Sequence, residues 1–229
     1  LDQVVSGIFV DAGLPDPNGT TTQNTYKAQS GTENFQGAVG ALNGYVQNPT
    51  QQNLEGFAEY MNRIEAEQPN GNIMEVLFLV FKESIQETNE DKKYFLKKLS
   101  MFNDMAEELS GYLEYLTDMS QELSAKGEGK KYPEKEYITI ETKRFDLSGV
   151  GPDGKLATTK VEDKRVERQG LSSEVKNVEG MQETVRNKRQ TASTAFQNFD
   201  QKANQLYNLL SSVLKSLNDM RMGTTRNML

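Results

Sequence analysis

Three residue types are missing from this chain of 229 residues: cysteine, histidine and tryptophan. Without His and Cys it cannot build the usual zinc, haem or iron–sulfur sites. Ser–His–Asp and Cys–His nucleophilic catalysis are excluded for the same reason. An enzyme is therefore not expected, and no cofactor and no metal site is expected either. With no Cys there is no disulfide, so the redox compartment is left open. Proline is scarce, at 6 residues. Long apolar runs are also lacking: the longest is Val76 to Phe81, bounded by Glu75 and Lys82, far below the roughly 18 residues of a membrane span. Basic charge is in deficit, 26 Lys plus Arg against 33 Asp plus Glu, a net charge of −7. That balance argues against nucleic acid and anionic membrane surfaces as the main partners. No signal peptide is visible, and the chain begins at Leu1 rather than Met. Processing or truncation that removed an export signal is compatible with this.

What is present is a period of seven. Met74, Phe81, Thr88, Phe95, Phe102, Leu109, Leu116 and Leu123 form one column, with Phe78, Ile85, Lys92, Leu99, Ala106, Leu113 and Ser120 beside it. A second stretch repeats the pattern: Leu171, Val178, Val185, Ala192, Phe199, Leu206, Val213 and Met220, flanked by Val175, Gln182, Arg189, Phe196, Ala203, Leu210 and Leu217. Two apolar columns at this period make a coiled-coil seam. The matching lengths predict an antiparallel two-helix coiled coil, each helix about 75 Å long. The expected pairing sets Phe102 and Leu109 against the region of Phe196 and Phe199. Polar residues enter both columns at Thr88 to Lys93; they read as a hydrated layer or bend in one helix, favoured because no Pro or Gly enforces a break, or as a turn between two helices.

The predicted fold is mainly α, in four segments. Residues 1–72 are an N-terminal segment containing a short helical hairpin, about Glu33 to Val46 and Gln51 to Glu67, separated by Pro49 and ended by Pro69-Asn70-Gly71. Leu54, Phe57, Ala58, Met61 and Ile64 form the apolar face of its second helix. Gly37, Gly40 and Gly44 weaken the first, or allow close helix contact. Before it, Val4, Val5, Ile8, Phe9 and Val10 read as a strand or docking segment, and a Thr-rich linker follows the turn cluster at 11–19. Residues 73–126 are the first long helix, ending near Gly127. Residues 127–170 are a β-hairpin insert with strands near Tyr137–Thr142 and Lys155–Val161, at the far end of the rod. Residues 171–229 are the second long helix, capped by Ser172 or Ser173.

Several motifs have plain readings. Gly149 to Gly154 matches G-x-G-x-x-G, but Pro-Asp-Gly and a strand follow where a dinucleotide site needs a helix, so it is a hairpin turn. Asn18-Gly19-Thr20 fits a glycosylation acceptor and says only that a surface loop is there. Glu83, Glu87 and Asp91 share a helical face that suits a divalent cation or, with Lys82, Lys92 and Lys93 nearby, a solvated surface. Glu107 and Glu108 are adjacent and point apart.

The candidate site is apolar. Val76, Leu77, Phe78, Leu79, Val80 and Phe81 cover every side of their helix, which must therefore be surrounded. Leu206, Leu209, Leu210, Val213, Leu214 and Leu217 form a second broad band at the same end of an antiparallel pair. Either the N-terminal hairpin covers them or another subunit does. These twelve residues are taken as an assembly interface.

Helical hairpin, long helix, strand-rich insert and long C-terminal helix, with the Ser/Thr/Gln/Asn-rich heptads of Gln190 to Asn218, resemble the filament and needle-tip proteins exported by type III secretion systems. The resemblance covers residues 74–123 and 171–222 and is one of architecture. The insert and the N-terminal 72 residues are longer than a simple filament subunit has, while tip proteins do carry such a helical hairpin. It implies a secreted structural protein at the bacterial surface, a homo-oligomer or filament, whose further partners are a secretion chaperone or a needle subunit. A cytoplasmic coiled-coil adaptor or regulator, or a flagellin-like filament protein, are the alternatives.

Overall fold

The computed structural model describes residues 7, 10, 16, 18–68, 71–127, 137–150 and 156–226. Side chains at 126–127, 144, 146, 148–150, 156–161 and 217–226 lie outside that description. So do the expected N-terminal strand, apart from an exposed Val10, and the tip of the hairpin at 151–155. The described elements are α1 (Thr20–Gln29), α2 (Glu33–Gln47), α3 (Gln51–Glu67), α4 (Ile73–Gly127), β1 (Tyr137–Val150), β2 (Leu156–Glu167) and α5 (Arg168–Arg226). The protein is mainly helical, with two long helices and one small antiparallel sheet. It divides into two compact units: Leu1–Lys92 with Gln197–Leu229, and Lys93–Phe196. α4 runs without interruption through Thr88–Lys93, and the division falls in that polar layer.

In the first unit, α2 and α3 start where threonines supply caps. Thr32 Oγ1 accepts from Phe35 N and Thr50 Oγ1 from Asn53 N, each at 3.3 Å. The two helices approach closely because Gly37 has no side chain: a Cβ there would lie 2.2 Å from the Tyr60 ring. Phe35, Ala38, Val39 and Leu42 of α2 and Met61 and Ile64 of α3 are buried in one core. Phe57 of α3 packs against it, while Leu54 is 41% exposed and Ala58 is also exposed. The stretch expected to be a Thr-rich linker is instead the helix α1. Its propensity is modest, but Tyr26 meets the Phe35 ring edge-on at 6.3 Å, and that packing compensates.

In the second unit α4 and α5 run antiparallel. Gln182 Nε2 donates to Ser110 Oγ at 3.2 Å and Arg189 Nη1 to Asn103 Oδ1 at 3.4 Å, so seven residues forward on one helix is seven back on the other. Phe102 and Leu109 therefore face the 182–192 stretch of α5, about three turns from the pairing expected with Phe196 and Phe199. A seam repeated every seven residues looks alike after a heptad shift, so the apolar columns do not set axial register. The polar second column does, through Gln182 and Arg189.

The β-hairpin is longer than predicted and packs on the coiled coil. Ile138, Ile140 and Val166 are buried with Tyr112, Leu116, Leu123, Leu171 and Val178. Tyr137 pairs with Glu167 and Thr142 with Glu162, and the register shifts between Thr142 and Arg144. Core-facing side chains move with it from Ile138 and Ile140 to Phe145 and Leu147, an odd step that an irregularity in the ladder permits. α5 begins at Arg168, earlier than the expected Leu171. Ser173 Oγ consequently bonds back to Gln169 O at 3.0 Å inside the helix and is no cap.

Candidate functional site

The twelve residues expected to form an assembly interface belong to the first unit. Val76, Phe78, Leu79, Val80, Phe81, Leu206 and Leu210 are at most 2% exposed. Leu77, Leu209, Val213 and Leu214 are partly buried against the same cluster. The side chain of Leu217 lies outside the described residues. A helix apolar on every side did have to be surrounded, but the cover is intramolecular: α2 and α3 enclose the start of α4 together with α5. Leu77, Leu209, Val213 and Leu214 keep some exposed surface. Sequence could not choose between the two covers, because periodicity records which side chains are apolar and not whose surface meets them.

A polar bracket borders this core. Tyr26 Oη donates to Glu83 Oε2 at 2.7 Å, and Asn43 Nδ2 donates to Glu87 Oε2 at 3.2 Å. Ser84 Oγ donates to Asn43 Oδ1, and Thr88 Oγ1 donates to Ser84 O at 2.8 Å. Lys92 Nζ meets Asp200 Oδ1 at 2.5 Å. Burial, the bond to Glu83 and the charges of Glu83 and Glu87 push the Tyr26 hydroxyl up to about 12. Burial and the neighbouring Glu83 raise Glu87, against the pull of Asn43 and Lys202. Burial lowers Lys202, against Asp91 and Glu87. The acidic stripe Glu83, Glu87, Asp91 thus faces Tyr26, Asn43 and Lys202. Among the described residues no cluster of three metal-ligating groups forms. The bracket ties α1 and α2 to α4 by hydrogen bonds.

In the second unit Tyr112 and Tyr115 hold β1 by its backbone. Tyr112 Oη donates to Glu141 O at 3.0 Å and accepts from Lys143 N at 3.3 Å, while Glu141 N donates to Tyr115 Oη at 2.9 Å. The Tyr112 ring is 2% exposed and lies 5.6 Å from the Phe145 ring. Burial raises its hydroxyl, and Glu174 adds to that, while the Lys143 amide works against it. Sequence reading passed over these tyrosines because they fall between the two apolar columns.

The same unit has an open groove of about 520 Å³. Phe95, Lys98, Met101 and Phe102 of α4, Leu147 of β1, and Thr184, Asn187, Lys188, Thr191 and Ala192 of α5 line it. Lys188 Nζ donates to Leu147 O at 2.5 Å and fixes the β1 wall. The groove has apolar walls and polar edges, the composition of a binding surface.

No family model, no curated protein and no solved structure matches the chain. No helix is long and apolar enough to cross a membrane, among the described residues.

Proposed function

We propose that the chain is a structural, non-enzymatic component of an exported bacterial surface assembly, of the type III secretion needle-tip kind. The observation that supports this is the order of elements together with their use. A helical hairpin, α2 and α3, precedes a long helix, a β-hairpin and a second long helix, and that hairpin covers the apolar start of α4 and the band on α5. A filament subunit has to offer such bands to the next copy; here the chain's own helices take them. The tip reading is therefore favoured over the filament reading. On it the protein acts outside the cell, in contact with a needle subunit and with copies of itself, and it is held by a secretion chaperone before export.

Immunogold electron microscopy of producing cells tests the proposal. Label at the ends of surface needles is the expected result. Label along the length of filaments would return the filament reading, and label confined to the cytoplasm would replace both with a coiled-coil adaptor.

A further inference from the structure

The groove carries charge of one sign in a protein of the other. Its two ionised lining residues are Lys98 and Lys188. Among the described residues no Asp or Glu lines the groove, and Arg186 and Arg189 belong to a separate hollow with Glu179 and Glu183. The antiparallel register brings Lys98 and Lys188 to one groove, which the linear sequence conceals. Arg186 is paired with Glu183, and Arg189 with Asn103. Lys98 meets no carboxylate among the described residues; its ammonium lies 4.6 Å from the Tyr94 ring centre and 5.8 Å from that of Phe95. Beside it Tyr94 is 53% exposed, extending the apolar wall outward. Tyr94 meets the Phe95 ring edge-on at 5.2 Å, so the aromatic lip is continuous with the groove.

We propose that this groove is the docking site for an acidic amphipathic helix of a partner protein. Apolar side chains spaced three and four residues apart enter between Phe95, Phe102, Leu147 and Ala192. Carboxylates on the flanks of that helix meet Lys98 and Lys188. Charge complementarity argues for this occupant: a cationic rim in a chain of net charge −7 selects an acidic segment and repels a basic one. Concave apolar walls suit side chains of a helix better than the plane of a membrane. The inference stands on the second unit alone and does not depend on the tip reading.

The test uses the full chain and a fluorescein-labelled peptide of Leu, Glu and Ala, with Leu at i, i+3, i+4 and i+7, followed by fluorescence anisotropy. Saturable binding that weakens with added salt is expected. A peptide with Lys for every Glu, and one with Ala for every Leu, are expected to bind at least about tenfold more weakly. Lys98→Glu and Thr184→Trp, one reversing the rim charge and one filling the groove from an exposed position, are each expected to weaken binding about tenfold with helicity unchanged by circular dichroism. Equal binding of the acidic and basic peptides, or no effect of either folded variant, would overturn the proposal. So would binding to phosphatidylglycerol vesicles without peptide binding, which assigns the patch to a lipid surface. Self-association abolished by the same variants assigns it to a second copy and overturns it equally.

Discussion

Gly37 and Gly40 lie one turn apart on α2 and make opposite predictions. A methyl at Gly37 collides with the Tyr60 ring, whereas nothing lies within 4 Å of one at Gly40. Gly37→Ala is expected to destabilise the first unit, since forcing the ring aside costs about 1–3 kcal/mol, more than the helix gains. Gly40→Ala is expected to stabilise it by up to about 1 kcal/mol. Urea midpoints decide the sign of each. Tyr26 predicts a pH dependence. Its hydroxyl is raised from 10.0 to about 12, so the stability it contributes is complete below 10 and lost as pH rises toward 12. Lys202 is lowered from 10.5, so its contribution runs the other way and is complete above that value. Between about pH 10.5 and 12 the loss due to Tyr26 is therefore the one of the two that continues. Thermal melts of Tyr26→Phe are expected to fall less steeply in that window than those of the unchanged chain; parallel curves would mean the bond to Glu83 does not matter.

Among elements, the β-hairpin changes most from what its sequence suggests. It holds no heptad residue, and on that ground its deletion would leave the coiled coil intact. The structure predicts otherwise. Ile138, Ile140 and Val166 cover α4 on the flank of Met105, Tyr112 and Met119, beside the column Phe102, Leu109, Leu116. Replacing residues 137–167 with a short Gly/Ser linker is expected to strip that flank and abolish cooperative melting of the second unit, measured by calorimetry. A milder probe is Tyr112→Phe, which removes one bond to Glu141 O and one from Lys143 N. It is expected to cost about 1 kcal/mol and to speed amide exchange at Lys143. Unchanged exchange there would show that the tyrosine packs against the strand without holding it.

For the whole molecule, the burial of the helix ends moves the consequence of a mutation from assembly to folding. Leu210 is 2% exposed within the core of the first unit. Leu210→Asp is expected to cost several kcal/mol by placing a carboxylate there. Hydrogen exchange is expected to show lost protection in α2, α3 and the start of α4, while the amides of 99–123 and 171–192 keep theirs. A variant that keeps full protection in the first unit, yet no longer associates, would restore Leu210 to an interface between copies.

Sequence alone determined the helical class and the bounds of α2 and α3, and it favoured the unbroken passage of α4 through Thr88–Lys93. Each is written locally, in a seven-residue period, in Pro49 and the turn at 69–71, or in the absence of a breaker. It also identified Val76 to Phe81 as a segment that must be enclosed. Tertiary structure decided what encloses it, which pairs of residues face each other along the seam, and that Tyr112, outside both apolar columns, belongs to the core. It alone made a helix of Thr20–Gln29, whose propensity is modest until Tyr26 finds Phe35 and Glu83. It alone brought Lys98 and Lys188, about ninety residues apart in the chain, to one groove. The reason is common to all of these. Periodicity states which face of an element avoids water, and only the folded chain states which surface receives it.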